Sequence, residues 1–220
     1  MKLIIQIPCL NEAETLPATL RDLPRQISGI DVIETLVIDD GSTDETARVA
    51  REAGVDHIVS FPRNRGLAAA FTAGIDACLK RGADYIVNTD ADNQYAGADV
   101  TKLVAPLLSG DAEITIGDRN ISSLQHLPAA RRALQHLGSW VVRQVSNTTV
   151  PDTTSGFRAY TREAALRMTI LSEFSYTLES LIQSGKRRMA IAHVPIGTNA
   201  KTRESRLFGS VASYIKKSAA

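Results

Sequence analysis

What most constrains the fold of this chain is a unit repeated through its first half: a short apolar run, a polar turn rich in Asp or Asn, then apolar residues at helical spacing. Residues 3–7 are the first run, and Leu16, Leu20, Leu23 and Ile27 follow it on one helical face. Pro17 is tolerated only near a helix start, so the spacing predicts a helix from about residues 13–15 through Ile27, with Asn11 and Glu12 in the preceding loop. A second strand over residues 33–38 runs into Asp39-Asp40-Gly41-Ser42-Thr43-Asp44, where Ser42 or Thr43 can cap a helix ending before Gly54. Residues 57–61 predict a third strand, and Leu67, Phe71, Ile75 and Leu79 a helix closed by Gly82. The fourth strand, residues 85–89, leads into Asp90-Ala91-Asp92-Asn93-Gln94. Val100, Leu103, Val104 and Leu107 mark the next helix, and a strand over residues 113–116 ends at Gly117-Asp118-Arg119.

Alternating βα units predict an α/β fold, a mostly parallel central sheet with helices on both faces. Such sheets bind ligands beyond the carboxyl ends of their strands. The polar clusters fall there one after another: Asn11 with Glu12, Asp39 with Asp40, Asp90 with Asp92, and Arg119. The second half is less regular. It reads as a long helix over residues 129–145, a polar loop over 153–158 entering a short strand, a helix from about Arg162, a helix over 176–183 and a strand over 189–194. Neither a repeat nor a linker interrupts the chain, which predicts one catalytic domain, residues 1–200, and a basic, weakly amphipathic tail, residues 201–220.

Bulk properties remove several function classes. A formal net charge of +1 gives no broad electrostatic grip on nucleic acid. Cys9 and Cys78 are the only cysteines, which makes neither a metal cluster nor a disulfide framework, and a reducing cytosol is the simplest compartment. No stretch approaches the roughly 20 apolar residues of a membrane span. Neither G-x-G-x-x-G after a strand nor a Walker loop is present, which argues against a nicotinamide dehydrogenase and a P-loop NTPase. A diphosphate bound by such a chain must be met by metal and arginine.

Residues for that chemistry are available. Asp90, Asp92 and Gln94 alternate along an extended segment, and oxygen ligands of this kind suit Mg2+ or Mn2+. They do not make an EF-hand, because Tyr95 stands where its glycine belongs and Thr101 where its glutamate belongs. An Asx turn with solvated carboxylates is the competing reading. Of the adjacent pair Asp39 and Asp40, one carboxylate is placed to accept from a base N–H or ribose hydroxyls; capping alone does not require two acids. Arginine suits bidentate phosphate recognition. Arg119 at a strand end and Arg158 after Ser155-Gly156 are the foremost candidates, with Arg131 at a helix start and Arg203 and Arg206 on the tail behind them. The four histidines show no metal or nucleophile spacing, and Cys9 has no evident base.

In this order the motifs form a pattern. Pro8-Cys9-Leu10-Asn11-Glu12, Asp39-Asp40-Gly41-Ser42-Thr43-Asp44, Asn64-Arg65-Gly66-Leu67, Asp90-Ala91-Asp92-Asn93-Gln94, Gly117-Asp118-Arg119 and Ser155-Gly156-Phe157-Arg158 resemble a family 2 inverting glycosyltransferase of the GT-A fold over nearly the whole chain. Residues 152–160 and Lys201-Thr202-Arg203-Glu204-Ser205-Arg206-Leu207 are most similar to the dolichol-phosphate mannose synthase and bacterial polyprenyl-phosphate glycosyltransferase group.

The resemblance implies transfer of a sugar from a UDP- or GDP-linked donor to a polyprenyl phosphate, with Mg2+ or Mn2+ as cofactor. It assigns Pro8, Asn11, Glu12, Asp39, Asp40, Ser42, Gly66 and Asp90 to the nucleotide sugar, with Arg203 and Arg206 closing over the diphosphate. Asp90, Asp92 and Gln94 would hold the metal. Arg119, Arg131, Ser155 and Arg158 would face the acceptor phosphate, and Asp92, Arg119 and Arg158 would be catalytic. Members of the group commonly continue into membrane helices, so the expected setting is the cytoplasmic face of a membrane, peripheral to it or anchored through a longer chain. The alternatives are transfer to a saccharide hydroxyl with Asp152 or Glu179 as base, and a non-catalytic nucleotide-sugar-binding module. A nucleotidyltransferase would need a glycine-rich N-terminal loop.

Overall fold

The computed structural model describes residues 1–120, 148–171 and 176–200. The long helix expected over residues 129–145, Arg131, the tail 201–220, Arg203 and Arg206 lie outside the described residues. In chain order the elements are β1 (Lys2–Cys9), α1 (Leu16–Asp22), β2 (Val32–Asp39), α2 (Thr46–Glu52), β3 (His57–Ser60), α3 (Leu67–Lys80), β4 (Tyr85–Asn88), a 3-10 turn (Gly97–Asp99), α4 (Val100–Leu108), β5 (Ile114–Asp118), β6 (Arg158–Thr161), α5 (Arg162–Leu166), α6 (Tyr176–Lys186) and β7 (Ile191–Pro195). Among the described residues no helix is long and apolar enough to cross a membrane.

The strands form one seven-stranded sheet in the order β3-β2-β1-β4-β6-β5-β7. All neighbours are parallel except β6, which runs antiparallel to both β4 and β5. Register fixes what shares an edge. Cys9 lies beside Asp39, and Asp39 beside Ser60. Arg158, the first residue of β6, is opposite both Asn88 and Ile116. The carboxyl ends of β1, β2, β4, β5 and β7 and the amino end of β6 therefore meet at one edge, and every loop bearing candidate chemistry leaves from it.

Two-residue periodicity puts a core on each face of the sheet. Leu3, Ile5, Ile7 and Val37 face one layer, packed with Leu16, Ala50, Val100, Leu103 and Leu107 of α1, α2 and α4. Ile4, Leu36 and Ile38 face the other, with Ala70, Phe71, Ile75, Ala164 and Leu181 of α3, α5 and α6. Gln6 also points into the second layer, fully buried.

Two local expectations are corrected. The first helix stops at Asp22 rather than reaching Ile27: Leu23 turns extended, with ψ 140°, because the ring of Pro24 disfavours a helical residue before it. Leu23 and Ile27 still bury their side chains from extended chain, so the helical spacing of the apolar residues overstated the helix. Neither Ser42 nor Thr43 caps α2. That helix begins at Thr46, its N-cap residue is Glu45, and both expected caps are bonded instead to the loop after β1.

Candidate active site

The loop after β1 is locked onto the loop after β2. Asn11 sits in the left-handed region at φ 55°, a conformation Asn tolerates better than most residues. Its backbone N–H donates to Ser42 Oγ at 2.9 Å, and its side-chain Oδ1 accepts from the N–H groups of Thr43 and Asp44 at 2.8 and 3.3 Å. The Glu12 N–H donates to Thr46 Oγ1 at 2.8 Å, and the Thr15 hydroxyl to Glu12 Oε2 at 2.7 Å. Asn11 and Ser42, both expected at the nucleotide, join the two loops through Asn11 Oδ1 and Ser42 Oγ. Pro8 is half-buried one residue before the end of β1, beside Ile38.

Asp39 and Asp40 divide their work. Asp39 Oδ1 accepts from the Ser42 N–H at 3.0 Å. Asp40 accepts from the backbone N–H groups of Arg65 and Gly66 at 2.7 and 2.9 Å, one on each oxygen. Burial raises the Asp40 pKa, and neighbouring Asp39 adds to it, despite those two donors. Asp40 and Gly66, both expected at the nucleotide, thus also form a brace between two loops. Gly66 has φ 92°, and Gly41 has φ 71° with its Cα so close to the backbone of Arg63 that a Cβ would lie 2.3 Å from the Arg63 carbonyl carbon. Only glycine fits there.

The loop after β4 brings Asp90, Asp92 and Gln94 together. Asp92 accepts from the Gln94 backbone N–H at 3.2 Å and from Gln94 Nε2 at 2.8 Å, while Asn93 takes a left-handed turn at φ 54°. Asp90 is half-buried behind this turn, and its pKa is raised to about 7, first by burial and then by the Asp92 charge, against a smaller pull from Arg119. Gly156 lets the neighbouring loop approach, since a Cβ there would stand 3.1 and 3.3 Å from the two Asp90 carboxyl oxygens. The Gly156 N–H donates to the Tyr95 hydroxyl at 3.1 Å, and Tyr95 stacks on Phe157 with centroids 5.0 Å apart. Behind them runs a buried relay: Gln6 Nε2 donates to Asn88 Oδ1 at 2.9 Å, and Asn88 Nδ2 donates to the Gly156 carbonyl at 2.9 Å and the Tyr176 hydroxyl at 2.8 Å. Asn88, Tyr95 and Tyr176 were missed in the sequence, where an Asn in an apolar run and scattered tyrosines carry no site signal.

The donor set is made of hard oxygens, two carboxylates and one amide, and no cluster of three or more His, Cys, Asp or Glu able to hold a metal occurs among the described residues. The two carboxylates nevertheless fit a divalent cation on physical grounds. They repel each other in a partly desolvated site, and a cation is the group that would reverse the upward shift of Asp90.

Two arginines expected to face an acceptor are placed differently. Arg119 makes a two-pronged pair with Asp152, Nε to Oδ2 at 2.7 Å and Nη2 to Oδ1 at 2.9 Å, and Nη2 also reaches Thr154 Oγ1 at 3.0 Å. It keeps some exposure at the edge, with 25% of its side chain accessible, while Asp152 is sealed. Burial alone would raise the Asp152 pKa, but the Arg119 guanidinium outweighs it and holds the carboxyl below the usual range. A carboxylate so held is a poor proton acceptor. Arg158 is corrected outright. It is 1% exposed, and its guanidinium donates to the carbonyls of Ser155 (2.7 Å), Thr177 (2.9 Å) and Thr153 (2.9 Å) and to Ser180 Oγ (2.9 Å). It ties the 153–155 loop to α6 and faces no acceptor. Ser155 is likewise fully buried, its hydroxyl has no hydrogen-bond partner among the described residues, and it does not line the open edge.

Glu179, on α6, accepts from the Leu171 N–H and Gln183 Nε2, which gives it a bracing role between that helix and the segment before it. Cys9 is buried and its thiol pKa is pushed up by burial, as an inert core residue requires.

A nearly parallel sheet with buried carboxylates converging at its carboxyl edge, and an Asp-x-Asp loop after its fourth strand, defines a GT-A-type glycosyltransferase. The model of glycosyl transferase family 2 matches residues 4–168. Polyprenol monophosphomannose synthase of Mycolicibacterium smegmatis is 30% identical over 167 residues, 73% of this chain and 62% of that protein, so the chain spans less than two thirds of that relative. Undecaprenyl-phosphate mannosyltransferase of Micrococcus luteus is 29% identical over 208 residues, 89% of this chain and 83% of that one. Among solved structures, glucosyl-3-phosphoglycerate synthase of Mycobacterium tuberculosis, in complex with Mn2+, UDP and glucosyl-3-phosphoglycerate, shares the fold with TM-score 0.72 at 23% identity, over 99% of this chain and 76% of that one. The chain belongs to glycosyl transferase family 2 and is an enzyme of that class.

Proposed function

We propose that the chain transfers a sugar from a nucleoside-diphosphate donor to a polyprenyl phosphate, with inversion, and that Asp90, Asp92 and Gln94 hold Mg2+ or Mn2+ on the donor diphosphate. The observation that carries this reading is the Asp90–Asp92 pair, two carboxylates brought together at the sheet edge, where burial first and the Asp92 charge second raise the Asp90 pKa to about 7. A bound divalent ion supplies Lewis-acid stabilisation of the charge that develops on the departing diphosphate. Glu12, buried in the loop after β1, and Asp39, buried at the end of β2, would hold the nucleoside.

In the reaction an acceptor phosphate oxygen attacks the anomeric carbon, a new carbon–oxygen bond forms, and the bond to the β-phosphate oxygen breaks as nucleoside diphosphate leaves. A phosphate monoester has a second pKa of about 6 and is mostly ionised at pH 7, so it needs no strong base. That suits this site. The two acids considered as bases, Asp152 and Glu179, are both engaged, and Asp152 is held ionised by Arg119. Arg119 is a described cation at the edge, and its pairing with Asp152 would present a fixed guanidinium face to an incoming phosphate. The two relatives named for polyprenyl or undecaprenyl phosphate support the lipid acceptor.

The test is calorimetric binding of UDP and GDP, each with Mn2+ and with EDTA, followed by transfer from the corresponding nucleotide sugar to a short polyprenyl phosphate. Metal-dependent binding of one nucleotide, and its loss in Asp92→Ala with the melting temperature retained, is the expected result. Full metal-dependent turnover in Asp92→Ala refutes the metal assignment. Transfer to a soluble saccharide with none to lipid phosphate refutes the acceptor.

A further inference from the structure

The segment after β7 returns along the metal-loop candidate. Tyr95 forms an antiparallel bridge with Thr198, and the Ala96 N–H donates to the Gly197 carbonyl at 3.2 Å. Two buried or edge acids brace the crossing: Asp99 Oδ2 accepts from the Gly197 N–H, and Asp22 Oδ2 from the Gly97 N–H, each at 2.6 Å. Asn199 then closes over the loop. Its backbone N–H donates to the Gln94 carbonyl at 2.9 Å. Its side-chain Nδ2 reaches the carbonyl oxygens of Asn93 at 3.0 Å and Tyr95 at 3.2 Å, with longer approaches to Asn93 Oδ1 and Asp22 Oδ2.

Three consecutive carbonyls, those of residues 93, 94 and 95, are thus gripped by one residue. The grip falls where the backbone is least favourable, at the left-handed Asn93 between Asp92 and Gln94. Fixing the peptide planes on both sides of Gln94 fixes the direction of its side chain, and through Gln94 N–H and Nε2 it fixes the Asp92 carboxylate. Asn199 is itself exposed and belongs to neither hydrophobic core, so its contribution to the core is small. A residue that holds a strained loop without supporting the core acts on what that loop carries.

We propose that Asn199 is a positioning residue that sets the geometry of the Asp92–Gln94 loop for a divalent cation. The inference rests on the metal reading of that loop. Groups that orient metal ligands typically change metal affinity about 10- to 100-fold when removed. Asn199→Ala and Asn199→Leu both remove the two amide donors, the second at nearly constant size.

Mn2+ binding is read directly from the paramagnetic resonance signal of free Mn2+ in the presence of UDP or GDP, on wild type, both variants and Asp92→Ala. The expected result is Mn2+ binding weakened by about tenfold or more in both Asn199 variants, with nucleotide binding in EDTA unchanged and the melting temperature within about 3 °C of wild type. Mn2+ affinity within twofold of wild type in both variants overturns the proposal, provided that wild type binds Mn2+ and Asp92→Ala does not. A fall in melting temperature above about 5 °C also overturns it, since Asn199 would then be a general brace. If wild type itself shows no Mn2+ binding, the metal reading falls first and takes this inference with it.

Discussion

Arg158→Met separates a structural arginine from a catalytic one. The guanidinium reaches four buried acceptors, the carbonyls of Thr153, Ser155 and Thr177 and the Ser180 hydroxyl. Methionine fills much of the space and donates to none of them. Ser180 can turn its hydroxyl to the Thr177 carbonyl, with which it already bonds at 3.2 Å. That leaves the Ser155 carbonyl stranded and strips a charged donor from the Thr153 carbonyl, at about 1–3 kcal/mol each. Relief of the buried charge's desolvation offsets part of this. The net expectation is a loss of about 3 kcal/mol, which for a domain of this size lowers the melting temperature by roughly 6–12 °C. Urea unfolding followed by circular dichroism gives the stability, and calorimetry in the cold gives nucleotide binding. The expected variant is markedly less stable yet binds its nucleotide when folded. A variant with wild-type stability and turnover reduced by orders of magnitude would refute the placement of Arg158 in the interior and restore it to the acceptor site.

The carboxylates give opposite pH signatures. Asp90 has a folded pKa of about 7 against an ordinary 3.8, so without metal the folded state binds its proton more tightly than the unfolded chain does. Metal-free stability should therefore fall as pH rises from about 4 to about 7, by up to a few kcal/mol. In EDTA, Asp90→Asn should flatten that fall and be more stable than wild type at pH 8; an unchanged slope sinks the argument. Asp152 is the reverse case, because its depressed pKa contributes stability above the ordinary carboxylate value that is lost as pH falls through the lower folded value. The stability gap between wild type and Asp152→Asn should narrow below about pH 4, and a constant gap down to pH 2 would contradict the Arg119 pairing. Two glycines of similar φ provide a matched comparison. Gly41→Ala meets the Arg63 and Asn64 backbone at 2.3 and 2.5 Å and should cost several-fold more than Gly54→Ala, which meets nothing within 4 Å and bears only the strain of about 1 kcal/mol. Equal melting temperatures for the two would refute the loop packing.

The architecture was legible because it rests on patterns that survive in one dimension. Alternating apolar periods placed β1 to β5 and the helices between them, and the rule for parallel sheets put Glu12, Asp39, Asp90 and Arg119 at one edge, where register now locates them. Where one residue overrides the period, the reading overshot: Pro24 ends α1 although Leu23 and Ile27 keep the helical spacing. The reversal of β6 had no signal either. A strand's direction is set by which neighbours it pairs with, and here Asn88 and Ile116 lie on either side of Arg158, far from it in sequence.

Within the site, residue type indicated the neighbourhood and not the side-chain partner. Asp39 and Asp40 are adjacent and chemically identical, yet strand alternation turns them to different sides, and Asp40 becomes an acceptor for the Arg65 and Gly66 amides. Arg119 and Arg158 both border the same loop. One keeps part of its guanidinium at the edge because its partner Asp152 supplies the balancing charge; the other turns inward because three carbonyls and a hydroxyl can absorb its donors without any counter-charge. A buried arginine is thus stable wherever the surrounding backbone is left unpaired by an irregular loop, and irregular loops are what enzymes place around their sites. Arginine next to a functional loop is for that reason ambiguous in sequence between gripping a ligand and gripping the loop. What separates the two is the number of free carbonyls the loop itself creates, and those arise from a backbone path that composition and spacing do not encode.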